Sequence, residues 1–138
     1  MGLRDAYHDL VANQVIAPIL CSNDATGNVA NTVDLEGYSG GLIGVQTGVE
    51  GDLFDANNYM TIKWQTSTNN VGWSAANDAD LIGGNNTAII DANADANSTH
   101  TRSYIGSKRY VRVEFQATAG AVSLPVSAHI VRSKPIRA

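Results

Sequence analysis

Tyr59-Met60-Thr61-Ile62-Lys63-Trp64-Gln65-Thr66 decides how the rest of the chain is read. Met60, Ile62 and Trp64 alternate with Thr61, Lys63 and Gln65, so that one row of side chains faces an apolar interior and the other faces water. That alternation is the mark of a strand with one buried face. It returns in Tyr110–Ala117, with Val111, Val113 and Phe115 inward and Arg112, Glu114 and Gln116 outward. After the Ala119-Gly120 break it returns once more. Val122, Leu124, Val126, Ala128 and Ile130 alternate there with Ser123, Pro125, Ser127 and His129. Pro125 has no N–H to give to a ladder, which places this long strand at a sheet edge or gives it a bulge.

Outward from these three runs, shorter strands are expected at Gln14 to Cys21, Asn28 to Leu35, Gly41 to Thr47, Thr87 to Ile90 and Thr101 to Ile105. Clusters rich in Asn and Gly separate them, among them Thr68-Asn69-Asn70-Val71-Gly72 and Gly83-Gly84-Asn85-Asn86. Such residues tolerate the positive backbone angles of tight turns. About eight short strands with no helical period longer than a turn or two point to an all-β fold, an antiparallel β-sandwich or jelly roll.

The chain has 138 residues, close to the commonest size of a single domain, and no linker or internal repeat divides it. One domain spanning 1–138 is expected. Leu3, Tyr7, Leu10 and Val11 fall at helical spacing, so residues 1–12 read as an N-terminal arm or a short helix. Residues 132–138, opening with Arg132-Ser133-Lys134-Pro135-Ile136-Arg137, read as a basic C-terminal tail. No apolar run reaches the ~20 residues a membrane helix needs. The first residues also lack the charged-then-apolar pattern of a secretory signal, so synthesis in a cytoplasm is expected.

Net charge is −4, but it is unevenly placed. Residues 1–99 hold two basic side chains, Arg4 and Lys63, against twelve acidic ones, a balance of −10, whereas residues 100–138 hold seven basic and one acidic, a balance of +6. Such a split has two readings: a surface for nucleic acid or an acidic partner, or strands from both halves interleaving so that the charges mix. The second is preferred.

Motifs that carry chemistry are few. Asp91-Ala92-Asn93-Ala94-Asp95-Ala96-Asn97 begins like a calcium loop, but Ala96 stands where a sharp-turn glycine is needed and Arg102 where a bidentate glutamate should close it. His8, His100 and His129 are scattered, with no second ligand at metal spacing. Cys21 is the only cysteine and sits in the apolar run Val15–Cys21, which reads as a small buried thiol. No nucleophile elbow, phosphate loop or dinucleotide fingerprint occurs, so no catalytic, cofactor or metal residue is nominated and the chain is not expected to be an enzyme. Lys108-Arg109-Tyr110-Val111-Arg112 mixes cations with an aromatic as single-strand binders do, but Tyr110 and Arg112 share the wet face of a strand, which is the simpler reading. Trp64 is in phase with the core. Trp73 is the one tryptophan left open as a glycan platform.

Taken in order, Val33-Asp34-Leu35-Glu36-Gly37-Tyr38, Met60–Gln65 with its turn and Trp73, Asp80-Leu81-Ile82-Gly83, and Tyr104-Ile105-Gly106-Ser107-Lys108-Arg109-Tyr110-Val111-Arg112-Val113 carry a resemblance. Over about residues 28–131 the chain resembles a family of small tailed-phage virion proteins, the jelly-roll capsid cementing (decoration) proteins of the kind found on a Bordetella phage. The resemblance implies a structural protein on the outer surface of a virion, made in the host cytoplasm. It further implies clamping of neighbouring major capsid subunits, homodimers, no cofactor, and no direct contact with nucleic acid or membrane. A turn of Asn69-Asn70-Val71-Gly72 stands where the family commonly has Asp-Gly. Candidate contact residues are Leu3 and Tyr7 in the arm and Arg132, Lys134 and Arg137 in the tail. The competing readings are a head-tail joining or tail protein of similar fold, and a glycan-binding module.

Overall fold

The computed structural model describes residues 10–22, 28–29, 32–49, 54–118 and 123–134. They form eleven strands: β1 (Leu10–Ser22), β2 (Asn28–Val29), β3 (Val33–Asp34), β4 (Gly40–Thr47), β5 (Met60–Ser67), β6 (Ser74–Ala75), β7 (Leu81–Ile82), β8 (Thr87–Ile90), β9 (Thr99–Tyr104), β10 (Tyr110–Ala117) and β11 (Ser123–Ser133). Every pairing is antiparallel. One sheet runs β1-β11-β4-β9-β7; the other has β10 and β5 at its centre. β2 and β3 both lie along β10, and β6 and β8 both lie along β5, as two broken strands.

Counting each broken strand once, the strands fall in the order of a double-sheet jelly roll, whose eight places are all filled. β7 is an additional edge beyond them.

The alternations read from the sequence are the ones the sandwich uses. β5 and β10 pair in register from Met60↔Ala117 to Ser67↔Tyr110, and their inward rows meet the inward rows of β4 and β11 in one core. Trp64, Phe115, Ile62, Val113, Leu124 and Ile130 are all fully buried there. Cys21 is buried with them.

Four expectations are corrected. β11 lies inside its sheet, between β1 and β4, not at an edge. Pro125 is tolerated because β11 pairs with β4 only from Val126 onward, so no N–H is needed from residue 125 on that side. The irregularities lie instead in β1, with register shifts between Gln14 and Ile16 and between Ile16 and Ile19, beside Pro18. At the ends, β1 begins at Leu10, so Leu10–Ala12 are strand rather than arm or helix, and β11 continues through Ser133, so Arg132 lies within a strand rather than opening a tail.

Candidate functional site

The two outward faces of the sandwich differ in chemistry. On the β10–β5 sheet the outward rows carry Asp34, Lys63, Arg112 and Glu114, with Glu114 directly opposite Lys63. On the five-stranded sheet, the register lines up Ala12, Val131, Leu42, Ser103 and Ile82 across all five strands. The next row is Gln14, His129, Gly44 and Thr101, followed by Ser127, Gln46 and Thr99. Among the described residues this face has no Asp, Glu, Lys or Arg.

Leu42, in the middle strand, is 48% exposed and Ile82 is 59% exposed. Leu10, Leu20 and Ile105 add exposed aliphatic area at the rim. Gly44 keeps the face level: a Cβ there would stand 2.7 Å from the His129 ring, which lies across the strand in the space the glycine leaves. Depletion of charge around exposed aliphatic groups is the compositional mark of a protein-binding patch.

Five cations of the C-terminal quarter, Arg102, Lys108, Arg109, Arg112 and Arg132, are used inside the molecule. Arg109 meets both oxygens of Asp34, at 2.8 and 2.7 Å, and reaches Glu36 at 2.7 Å. That hydrogen bond from Arg109, joined by one from the Glu36 N–H, holds the Asp34 carboxyl below the usual carboxylate range. Arg112 lies 4.3 Å over the Trp73 ring and donates to Gln65. Arg132 lies 4.3 Å over Tyr38 and donates to Asn13 and to the Asp34 carbonyl. Arg102 stacks 4.3 Å from Trp64 and donates to the carbonyls of Asn85 and Thr101. Lys108 donates to Ser74. Strand interleaving thus brings Arg109 of the basic quarter onto Asp34 and Glu36 of the acidic body, while Arg102, Arg112 and Arg132 settle on rings and neutral oxygens.

Of the contact residues expected from sequence, Arg132 is engaged within its own chain and Lys134 is exposed just past β11. Leu3, Tyr7 and Arg137 lie outside the described residues. The structure instead brings together Leu42, Ile82, Val131 and Ala12, which sequence reading did not nominate. The signal was present as charge-free outward positions, but it appears only once strands distant in sequence are placed side by side.

Three other places were candidates for chemistry. Ser98 Oγ lies 3.0 Å from His100 Nε2, a distance suited to a nucleophile and its base. Ser98 already donates to the Asp95 carbonyl at 2.6 Å, so it accepts from the imidazole, and the contact fixes a loop. The Asp91–Asn97 segment forms a short 3₁₀ turn in which Asn93 accepts from the Phe54 N–H, and no cluster of metal-binding side chains occurs among the described residues. Trp73 is half-buried with Arg112 across its ring, which takes one stacking face from a sugar. A cleft of about 210 Å³ between Leu35–Gly40 and Gly106–Arg109 borders the Asp34–Arg109 pair, and its guanidinium is spent on that pair.

No family model and no curated protein matches the chain. Solved structures do. A subunit of the Bacillus endospore appendages, a family of disulfide-linked pili, is 13% identical and aligns over 93% of this chain and 90% of its own, with a TM-score of 0.51. The Eiger TNF of S. frugiperda is 10% identical over 94% of this chain and 96% of its own, with a TM-score of 0.50. At such identities the likeness is one of fold. No helix among the described residues is long and apolar enough to cross a membrane.

Proposed function

We propose that the chain is a structural protein of a phage particle, decorating and cementing the exterior of the capsid by docking the outward face of its five-stranded sheet across neighbouring major capsid subunits. The observation that carries the docking is the absence of charge from that face among the described residues, with Leu42 and Ile82 exposed on it, while the opposite sheet is charged and wet. Five strands about 4.8 Å apart, between two and thirteen residues long and about eight on average, offer on the order of 600 Å², near the ~800 Å² each partner gives to a stable interface. The resemblance of residues 28–131 to phage cementing proteins supports the choice of partner.

The energetics of the role follow from linkage. A protein that binds the assembled lattice and not its separated subunits stabilises the lattice by mass action. Many copies of a modest contact then act together. The test is to add purified chain to capsids lacking it. Saturable binding in hundreds of copies with raised heat resistance of the shell supports the reading; binding in a single ring, or none, refutes it.

A further inference from the structure

Four sheet edges are visible, and three are kept short. β7 ends one sheet with two residues; the other sheet ends in β2 and β3, of two residues each, and in β6 and β8, of two and four. β1 is different: thirteen residues long, with β11 as its only strand neighbour among the described residues. An edge of that length presents a row of N–H and C=O groups to any incoming strand, and proteins that stay single blunt it with proline, bulges or lysine. The second half of β1 is blunted in this way, by Pro18 and the two register shifts. The first half is not. Leu10-Val11-Ala12-Asn13-Gln14 pairs without a break with Ser133–His129 and carries neither charge nor proline.

We propose that this open half of β1 is the joint between two copies of the chain, paired antiparallel about a two-fold axis at Ala12. The sequence suits its own reversal. Ala12 meets Ala12 of the second copy at the axis, Leu10 faces Gln14 and Val11 faces Asn13, so no charge meets its like. A two-fold joining antiparallel edges stands perpendicular to the sheet, so side chains on one face remain on that face. Both uncharged faces then point the same way, and two five-stranded sheets continue into one of ten strands. A foreign strand could use the same edge, but the charge-free face that continues across the joint favours a second copy. The inference goes beyond the docking reading and stands whether or not the face binds a capsid.

The experiment uses the whole chain with Ala12→Cys, Ala12→Lys and, as control, Ala75→Cys on the exposed β6 edge. Residues opposite each other across an antiparallel pair have Cα atoms about 4.5–5.5 Å apart, within disulfide reach. Cys21 is buried and does not compete. Under mild oxidation Ala12→Cys is expected to give covalent dimers at least about tenfold faster than Ala75→Cys, as an intramolecular reaction should. Sedimentation should show a concentration-dependent dimer for the natural chain that is lost in Ala12→Lys at unchanged circular dichroism and retained in Ile82→Asp at the far edge. A chain that stays monomeric at the highest soluble concentration, with Ala12→Cys no faster than the control, overturns the proposal. So does a dimer that survives Ala12→Lys, which would lie on another surface.

Discussion

Arg102 sits between the Trp64 ring and the backbone of Gly84, a position with three consequences at the scale of single residues. The guanidinium is 4.3 Å from the ring centroid, it donates to two carbonyls, and burial lowers its pKa from the ordinary arginine value. A cation over a partly desolvated indole is worth roughly 0.5–2 kcal/mol, and each hydrogen bond about 1 kcal/mol. Arg102→Ala should therefore lower unfolding free energy by about 1–3 kcal/mol and shift Trp64 fluorescence, both read in one urea titration. Gly84 has φ +151° and a Cβ there would fall 2.5 Å from the guanidinium carbon, so Gly84→Ala should also destabilise.

His100, two residues away on the same inward row, has its pKa lowered chiefly by burial and then by the charge of Arg102. The neutral ring is favoured in the folded state. Its contribution to stability is complete above the unfolded value of 6.5 and declines as the pH falls through 6.5 toward the folded value, because the unfolded chain takes the proton first. Between about pH 8 and about pH 5 the natural chain should lose more stability than His100→Gln. Equal losses in the two would show that His100 is not the titrating group. Little of this was legible beforehand. The inward row of β9 is His100, Arg102 and Tyr104, polar throughout, so no apolar period marks which face is buried. Trp64 was placed correctly because its neighbours Met60 and Ile62 are apolar.

Among the elements, legibility followed the contrast between the two faces of each strand. β5, β10 and β11 alternate apolar with polar residues, and all three were read in phase. β1 does not, since Val15 and Ile16 are both buried while Ile19 and Leu20 are both exposed; its bulges shift the inward face mid-strand. β6 and β7, two residues each, are too short for any period to show. Pro125 misled the placement of β11 because a missing N–H is harmful only where a partner strand awaits it. The strand with most leverage on the fold is β11, which joins β1 to β4. Ile130 is fully buried at its centre, and Ile130→Ala should cost about 2–5 kcal/mol. Ser127→Ala, on the outward face of the same strand, should stay within about 0.5 kcal/mol. Chemical denaturation of both variants tests the assignment of faces.

For the whole molecule, a sandwich or jelly roll was anticipated from strand count and turn chemistry and the jelly-roll type from the resemblance, whereas the charge-free face was not anticipated. Its members come from strands separated by up to most of the chain, and only register makes them neighbours. The distribution of charge along the sequence pointed instead to a basic C-terminal quarter, yet Arg102, Arg109, Arg112 and Arg132 of that quarter stack on Trp64, Tyr110, Trp73 and Tyr38 within the same molecule. If the face is the docking surface, Leu42→Asp should abolish binding to shells at unchanged stability, because Leu42 is half exposed and the substitution places a charge at the centre of an uncharged contact. Lys63→Ala, on the opposite face, should bind as the natural chain does. Electron cryo-microscopy of purified phage particles containing the chain tests the central claim most directly. The account predicts copies covering the exterior of the shell with the β1-β11-β4-β9-β7 face toward the lattice. A location inside the shell or on the tail, or copies seated on the charged β10–β5 face, would contradict it.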